Sequence, residues 1–550
     1  MRVLAALTPD ARADAAHTEG AAPSLRAYAL AGAVAGATVV AGAVVGGSSF
    51  VSHLPGAWFF GTPGGPLQSV STSTVRAPAL AILAVYGGLA ALAVVWWKLL
   101  RALWRRPGVS VRGVAGVVGA WAVPFAIAPP LFSRDVYSYA GQGLLVSFHI
   151  NPYAYGPGIL GATPFNLLAG PLWANTPSPY GPLWLWIDGS ATWLSGHEVL
   201  ADLVLLRVVA VAGVALVAGG LPTLARSVGQ DPAAAVVLGA GSPLVLATLV
   251  GGAHNDAVMV GLLVVGLAAW QRFGPVPGIV LCALAAGVKA PAALGVIVIG
   301  WNWAPAGARV PERMSRTMLA LGIGTATLAA VSSVSGLGWG WLETLTAADK
   351  VSTGVTPVDA VAHVAAGALH LVGSTVSPSS VRSVVVVAGL AVAVGVGTAL
   401  IWRSPTLGPL RALGGSLLLL ALLSPVLWAW YLTWGVAVLA PVAAGRLRRL
   451  IVWVAIAEAI VGASSVLGVL RSLRDAGPGP VLLVAAGIAG LAYLAAQPSY
   501  EQGSWPWSRR DRGASPSCGG RRRLLRWAAA AEARTVPRGG DDGLGLLDGA

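Results

Sequence analysis

Residues 98–112 read KLLRALWRRPGVSVR and stand between two apolar runs, roughly 76–98 and 110–131. Lys98, Arg101, Arg105, Arg106 and Arg112 crowd a loop too short to fold by itself. Short basic loops of this kind stay in the cytoplasm when the flanking segments insert into a bilayer. The chain past Leu131 therefore emerges on the outer side. What emerges is FSRDVYSYAGQGLLVSFHINPYAYGP, residues 132–157, with Arg134 and Asp135 near its head and aromatic rings throughout.

Composition sets the same class. The 550 residues are 56% hydrophobic and only 10% charged, against about 25% charged in a soluble domain. Each apolar run can cross the roughly 30 Å of hydrocarbon as a helix, and the alternating pattern of a membrane barrel is absent. The 72 glycines suit closely packed membrane helices, although a GC-rich genome accounts for such a count equally well. The net charge of +14 gathers in short loops and in the tail RRDRGASPSCGGRRRLLRW, which fits membrane orientation and gives no reason to expect a nucleic-acid partner. Cys282 and Cys518 make no disulfide framework.

The expected fold is an all-α polytopic membrane protein. Residues 1–25 are polar and read as a cytoplasmic arm, 26–497 as the membrane domain, and 498–550 as a basic, disordered cytoplasmic tail. Further spans are expected near 28–48, 200–220, 233–250, 254–270, 317–338, 381–402, 409–425, 427–445, 449–470 and 480–497, giving about fourteen helices with some short ones. An external loop, 132–198, should hold two interfacial helices: an amphipathic one from Ser133 to Phe148, and GPLWLWIDGSATWLSG, which contains Asp188. A second external loop covers 339–380. The run 276–304 has arginines on both flanks, so a single crossing leaves one flank on the wrong side. Lys289-Ala290-Pro291 offers a break, since proline disfavours helix in the residue before it. Two short helices would then leave Lys289 at the floor of a cavity opening outward.

In this topology several polar clusters face outward at similar depth: Arg134 and Asp135 with Tyr137 and Tyr139, TPSPYGP at 176–182 with Tyr180, His254-Asn255-Asp256, and Lys289. The turn SPVLWAWYLTW at 424–434 adds Trp430 and Tyr431, and Tyr153 and Trp341 lie in the two external loops. Ionisable groups near a bilayer centre cost about 2.5–3.5 kcal/mol each on insertion scales, so their convergence suggests a site. Blander readings stand beside this one. Asp135 could cap a helix, His254-Asn255-Asp256 could be a polar turn, Lys289 could snorkel to headgroups, and Trp341 and the tryptophans near 430 could form an interfacial belt. No Walker loop, dinucleotide fingerprint or His/Cys metal spacing is present, and no cofactor is expected, with a divalent metal left open.

One carboxylate, one or two cations and aromatic walls fit sugar transfer from a lipid-linked phosphate. The phosphodiester already leaves well, so no general acid is required. Lys289 or Arg134 would stabilise its charge, and Asp135 would take the acceptor hydroxyl's proton. One base without a covalent intermediate gives inversion. Tyr137, Tyr139, Tyr153, Tyr180, His254, Asn255, Asp256, Trp341, Trp430 and Tyr431 would line the sugar sites.

SRDVYSYAGQGLL, NPYAYGP, TPSPYGPLW, GGAHNDAVMVGLL, GVKAPAAL and LSPVLWAWYLTWG, in this order, resemble the actinobacterial polyprenol-phosphomannose-dependent α-1,6-mannosyltransferases of the GT-C superfamily. The resemblance spans about residues 25–495. It implies a GT-C fold in the plasma membrane with its active site on the external face. It further implies mannose transfer from polyprenyl-phosphate mannose onto a lipid-anchored α-1,6-mannan, the backbone of lipomannan and lipoarabinomannan, with Asp135 in the place of the catalytic acidic residue. Two departures stand out: Arg134 precedes Asp135 where many GT-C enzymes pair two acids, and Trp428-Ala429-Trp430-Tyr431 replaces a His-Pro-Trp-Tyr-like turn. A transferase of another polyprenyl-phosphate sugar such as arabinofuranose, a lipid or sugar transporter, and a structural partner in an envelope complex are the alternatives.

Overall fold

The computed structural model describes residues 24–46, 79–169, 171–344 and 356–462. The tail from Pro498, the run 480–497 and most of the N-terminal arm lie outside the described residues. Helices α1 (Leu25–Val45), α2 (Ala79–Arg105) and α3 (Val111–Ile127) pack together and lead to the segment that carries Asp135. There follow α4 (Asp135–Ser147), α5 (Pro182–Leu194), α6 (Val199–Ser227), α7 (Pro232–Gly239) and α8 (Asp256–Phe273). Next are α9 (Pro275–Ala286), α10 (Ala293–Trp303) and α11 (Val310–Ser335). The last described helices are α12 (Pro357–Leu371), α13 (Pro378–Trp402), α14 (Pro409–Leu423), α15 (Leu432–Leu439) and α16 (Gly445–Val461).

Six of these, α1, α2, α6, α8, α11 and α13, are long and apolar enough to cross a membrane. Among the described residues the regular elements are all helices, and the chain is a multi-pass membrane protein. Between α7 and α8 the expected span near 233–250 ends in a single turn of π-helix, Val245–Val250, in which Gly251 N–H reaches back to the Leu246 carbonyl. Such turns recur at functional sites. The run 276–304 divides as its arginines require: α9 stops at Ala286, Lys289 is extended, and α10 returns. Followed along the chain, the basic turns at 105–112, 226, 272, 309–316, 403 and 446–449 all fall at one set of helix ends. Segments 128–135, 251–256, 287–292 and 424–431 fall at the other set. That second set of ends carries the site.

One expectation is corrected. The helix after Leu131 does not lie with one face open, because every side chain from Asp135 to Leu145 is buried. Ala140, Gly141 and Gly143 let neighbours come too close for a solvent-facing side. A Cβ on Gly143 would stand 2.3 Å from the Thr192 hydroxyl of α5, and one on Gly141 2.9 Å from Pro157. With α6 also against it, α4 is enclosed in protein. Small residues serve packing elsewhere too: a Cβ on Gly213 of α6 would be 2.4 Å from the Ala257 backbone of α8, so these two helices meet backbone to backbone.

Candidate active site

Asp135 is held in place from three directions. Arg207 of α6 donates to the Phe125 carbonyl, one of the orphan carbonyls at the end of α3, and so fixes where the chain leaves that helix. Leu131 N–H then bonds to the Gly251 carbonyl at 2.9 Å, tying the segment to the end of the π-turn. Phe132 and Ala253, at φ 65° and 53°, turn the two chains on either side of this link. Non-glycine residues there carry strain of about 1 kcal/mol or more, which the surrounding contacts must hold. Asp135 opens α4, its N–H bonded to the Ser133 hydroxyl at 3.1 Å.

Across from it stands His254. Its Nε2 is 3.8 Å from Asp135 Oδ2, its Nδ1 2.7 Å from the Thr248 carbonyl oxygen, and its ring stacks on Trp430 at 3.7 Å between centroids. Burial pushes the Asp135 carboxyl above its ordinary value, and the charges of His254 and Lys289 draw it partly back. Burial pushes the His254 imidazole down. Asn255 accepts at 3.3 Å from the Tyr139 hydroxyl, and Tyr139 stands edge-on to Tyr180.

Lys289 does not snorkel. Its ammonium lies 3.0 Å from both oxygens of the fully buried Asp256, which also accepts from Trp434 Nε1 at 2.5 Å. Three rings surround the same ammonium, Tyr431 at 4.3 Å, Trp434 at 5.4 Å and Tyr180 at 5.7 Å, a cation–π cage. Trp430, Tyr431 and Trp434 thus face His254, Lys289 and Asp256 rather than forming a lipid-facing belt. Their turn is anchored by Arg382, which binds Asp359 at 2.7 Å and the Pro425 carbonyl at 3.2 Å.

The segment before α5 meets the Lys289 break through backbone. Gly181 and Leu183 donate to the carbonyls of Val288 and Gly287 at 3.1 and 2.9 Å. Pro182 starts α5 with no N–H to lose, and Tyr180 is left beside Lys289. A Cβ on Gly181 would be 2.3 Å from the Gly287 oxygen. Gly181→Ala should therefore push the Lys289 tip away, at a cost of about 1–3 kcal/mol. A fall in transfer rate with a lowered unfolding temperature in detergent is the expected result.

The structure brings Asp135, Tyr139, Tyr180, His254, Asn255, Asp256, Lys289, Trp430 and Tyr431 into one connected cluster. The other expected site residues sit in different surroundings. Arg134 is exposed at the start of α4, and Tyr137 is fully buried within the fields of Arg207 and Arg134. Tyr153 packs on Gly340, next to Trp341, where the segment after α11 meets the one between α4 and α5 and Thr344 donates to the Ser178 carbonyl at 2.7 Å. Two participants escape sequence reading: Trp434, which looks like one more belt tryptophan, and Thr248, whose role is played by its backbone. Asp188 is also unlike its expected setting at an interface. It is fully buried with neither oxygen hydrogen-bonded, and burial, with Asp202 nearby, holds its carboxyl well above its ordinary value. Asp188→Asn, of similar shape and never charged, should flatten the loss of thermal stability with rising pH that a carboxyl of raised proton affinity imposes on the wild type. Among the described residues no group of three His, Cys, Asp or Glu side chains stands close enough to hold a metal ion.

The family described as "Alpha-(1->6)-mannopyranosyltransferase, N-terminal domain" matches residues 29–305, the half of the chain that holds Asp135, His254 and Lys289. The chain belongs to that mannopyranosyltransferase family. The family's MptB C-terminal domain matches residues 358–496. Alpha-(1->6)-mannopyranosyltransferase A of Mycobacterium tuberculosis is 30% identical over 429 residues, 75% of this chain and 80% of that one. A probable alpha-(1->6)-mannopyranosyltransferase of Mycolicibacterium smegmatis is 33% identical over 393 residues, 64% and 69% of the two chains. Alpha-(1->6)-mannopyranosyltransferase B of Corynebacterium glutamicum is 28% identical over 366 residues, 61% and 60%. No solved structure matches the chain. Membership makes this protein a mannosyltransferase enzyme, as its resemblance implies.

Proposed function

We propose that the protein is an inverting GT-C transferase that moves mannose from polyprenyl-phosphate mannose onto a growing, lipid-anchored α-1,6-mannan. In this reading it lies in the plasma membrane, crosses it about fourteen times, and works on the outer face. The observation that carries the reading is the cluster itself: a nearly buried carboxylate, Asp135, linked through His254-Asn255-Asp256 to a caged ammonium, Lys289, whose side chain keeps 12% of its surface open. Asp256 engages the ammonium on one side, and its remaining N–H capacity is available to a donor phosphate. As the anomeric carbon leaves that phosphate, negative charge grows on the phosphate oxygens, where a fixed cation in a low-dielectric site acts most strongly. Asp135 removes the acceptor hydroxyl's proton, and its raised proton affinity makes it a stronger base than an exposed carboxylate. The stacked tryptophans offer faces for sugar rings.

The positive-inside rule, applied to the basic helix ends opposite the cluster, supports an outward site. The test is a donor panel. Membranes containing the protein are given radiolabelled polyprenyl-phosphate mannose or polyprenyl-phosphate arabinofuranose with a short α-1,6-mannoside. Label should pass from the mannose donor only, and an α-linked product from a β-linked donor establishes inversion. Transfer from the arabinofuranose donor instead would overturn the choice of sugar.

A further inference from the structure

The orientation of the His254 ring fixes its tautomer. The Thr248 carbonyl can only accept a hydrogen bond, so Nδ1, 2.7 Å from it, carries the proton. Stacking on Trp430 and the turned backbone at Ala253 hold the ring's other edge toward Asp135. Nε2 of the neutral ring is then a lone pair, fully buried, without a hydrogen-bond partner, and 3.8 Å from a carboxylate oxygen. Two acceptors facing each other in a dry site repel, so a proton that reaches either one is drawn into the gap between them. Catalytic hydrogen bonds are often this long before substrate arrives and shorten in the complex.

We infer that His254 is a positioning residue that shares with Asp135 the proton released by the acceptor. This inference rests on the reading of Asp135 as the general base. The bond from the anomeric carbon to the donor phosphate breaks with its electron pair going to phosphate, while the acceptor oxygen forms the new bond to that carbon. The acceptor's O–H bond breaks and its proton passes to the Asp135 carboxylate. The carboxylic acid donates toward Nε2, and an imidazolium remains beside a restored carboxylate. The proton then leaves on the departing lipid phosphate, which has gained one negative charge. The charged groups acting on the ring are Asp135 and Asp256, which favour the imidazolium, and Lys289, which opposes it, with burial opposing it most. Burial drives the affinities of the carboxylate and the imidazole toward each other, the condition under which a proton is shared.

The test compares His254→Gln, His254→Phe and Asp135→Asn with the wild type, using radiolabelled polyprenyl-phosphate mannose across pH. For both His254 variants kcat should fall about 100-fold, the range of general acid–base contributions. Donor KM should stay within about twofold, since no ground-state contact is removed. The acid limb of the kcat profile should move to lower pH, because a carboxylate alone binds its proton less tightly than the pair. His254→Phe keeps the stacking on Trp430 and carries the same reading if His254→Gln fails to accumulate. A uniformly lower kcat with an unmoved acid limb would overturn the inference and leave the base assignment intact. An active Asp135→Asn would overturn both.

Discussion

Asp135→Asn is expected to abolish transfer, by about 10²–10⁴-fold in kcat, the usual contribution of a positioned general base. The asparagine has the same shape, can still cap Ser133 through its backbone N–H, and places no charge beside His254. Insertion and thermal unfolding in detergent should therefore match the wild type, and donor KM should change little. The wild-type pH profile supplies an independent check, with its sign set by burial. The base works only when unprotonated, so activity must fall as pH drops through its proton affinity. Because burial raises that affinity, the fall should begin above the range of an ordinary carboxylate, whose value is about 3.9. An asparagine variant with wild-type turnover would remove Asp135 from the chemistry and leave it a structural residue.

The parts of this site that were legible in the sequence were those dictated by the bilayer. Charge in short loops separates one set of helix ends from the other, so the basic loop after Trp97 was enough to put Asp135 at the ends opposite the arginines. The paired arginine flanks of 276–304 required a return, and Pro291 marked its place. What stayed hidden depends on packing between distant segments, which leaves little local signal. The enclosure of α4 comes from glycines whose partners lie in α5 and in the Pro157 segment. Trp434 differs from any interfacial tryptophan only in having Asp256 as its neighbour, 178 residues away in sequence. The role of Thr248 belongs to a carbonyl that every residue possesses, so no side-chain pattern could mark it. Asp188 carried a misleading signal: an acid in a short aromatic helix suggests water nearby, and here it is fully buried with neither oxygen hydrogen-bonded.

Lys289→Met is expected to have the second large effect, and it has two components that one further variant separates. Asp256 is fully buried, and the substitution leaves its carboxylate with only the Trp434 indole as donor. Breaking a buried ion pair from one side costs about 3–5 kcal/mol, chiefly because the abandoned charge remains desolvated. A fall in the unfolding temperature would follow whether or not the lysine touches donor phosphate. In the double variant Lys289→Met with Asp256→Asn no uncompensated charge remains, and the amide still accepts from Trp434. Its stability should return close to wild type, so that the two single changes are strongly non-additive. Transfer should not return with it. Without the ammonium there is no fixed cation at the departing phosphate, a loss of about 10²–10³-fold for a single stabilising group. The loss should appear in kcat with the lipid donor, while affinity for the mannoside acceptor holds. Recovery of both stability and turnover in the double variant would mean that Lys289 serves only to neutralise Asp256, and the phosphate would then require another cation.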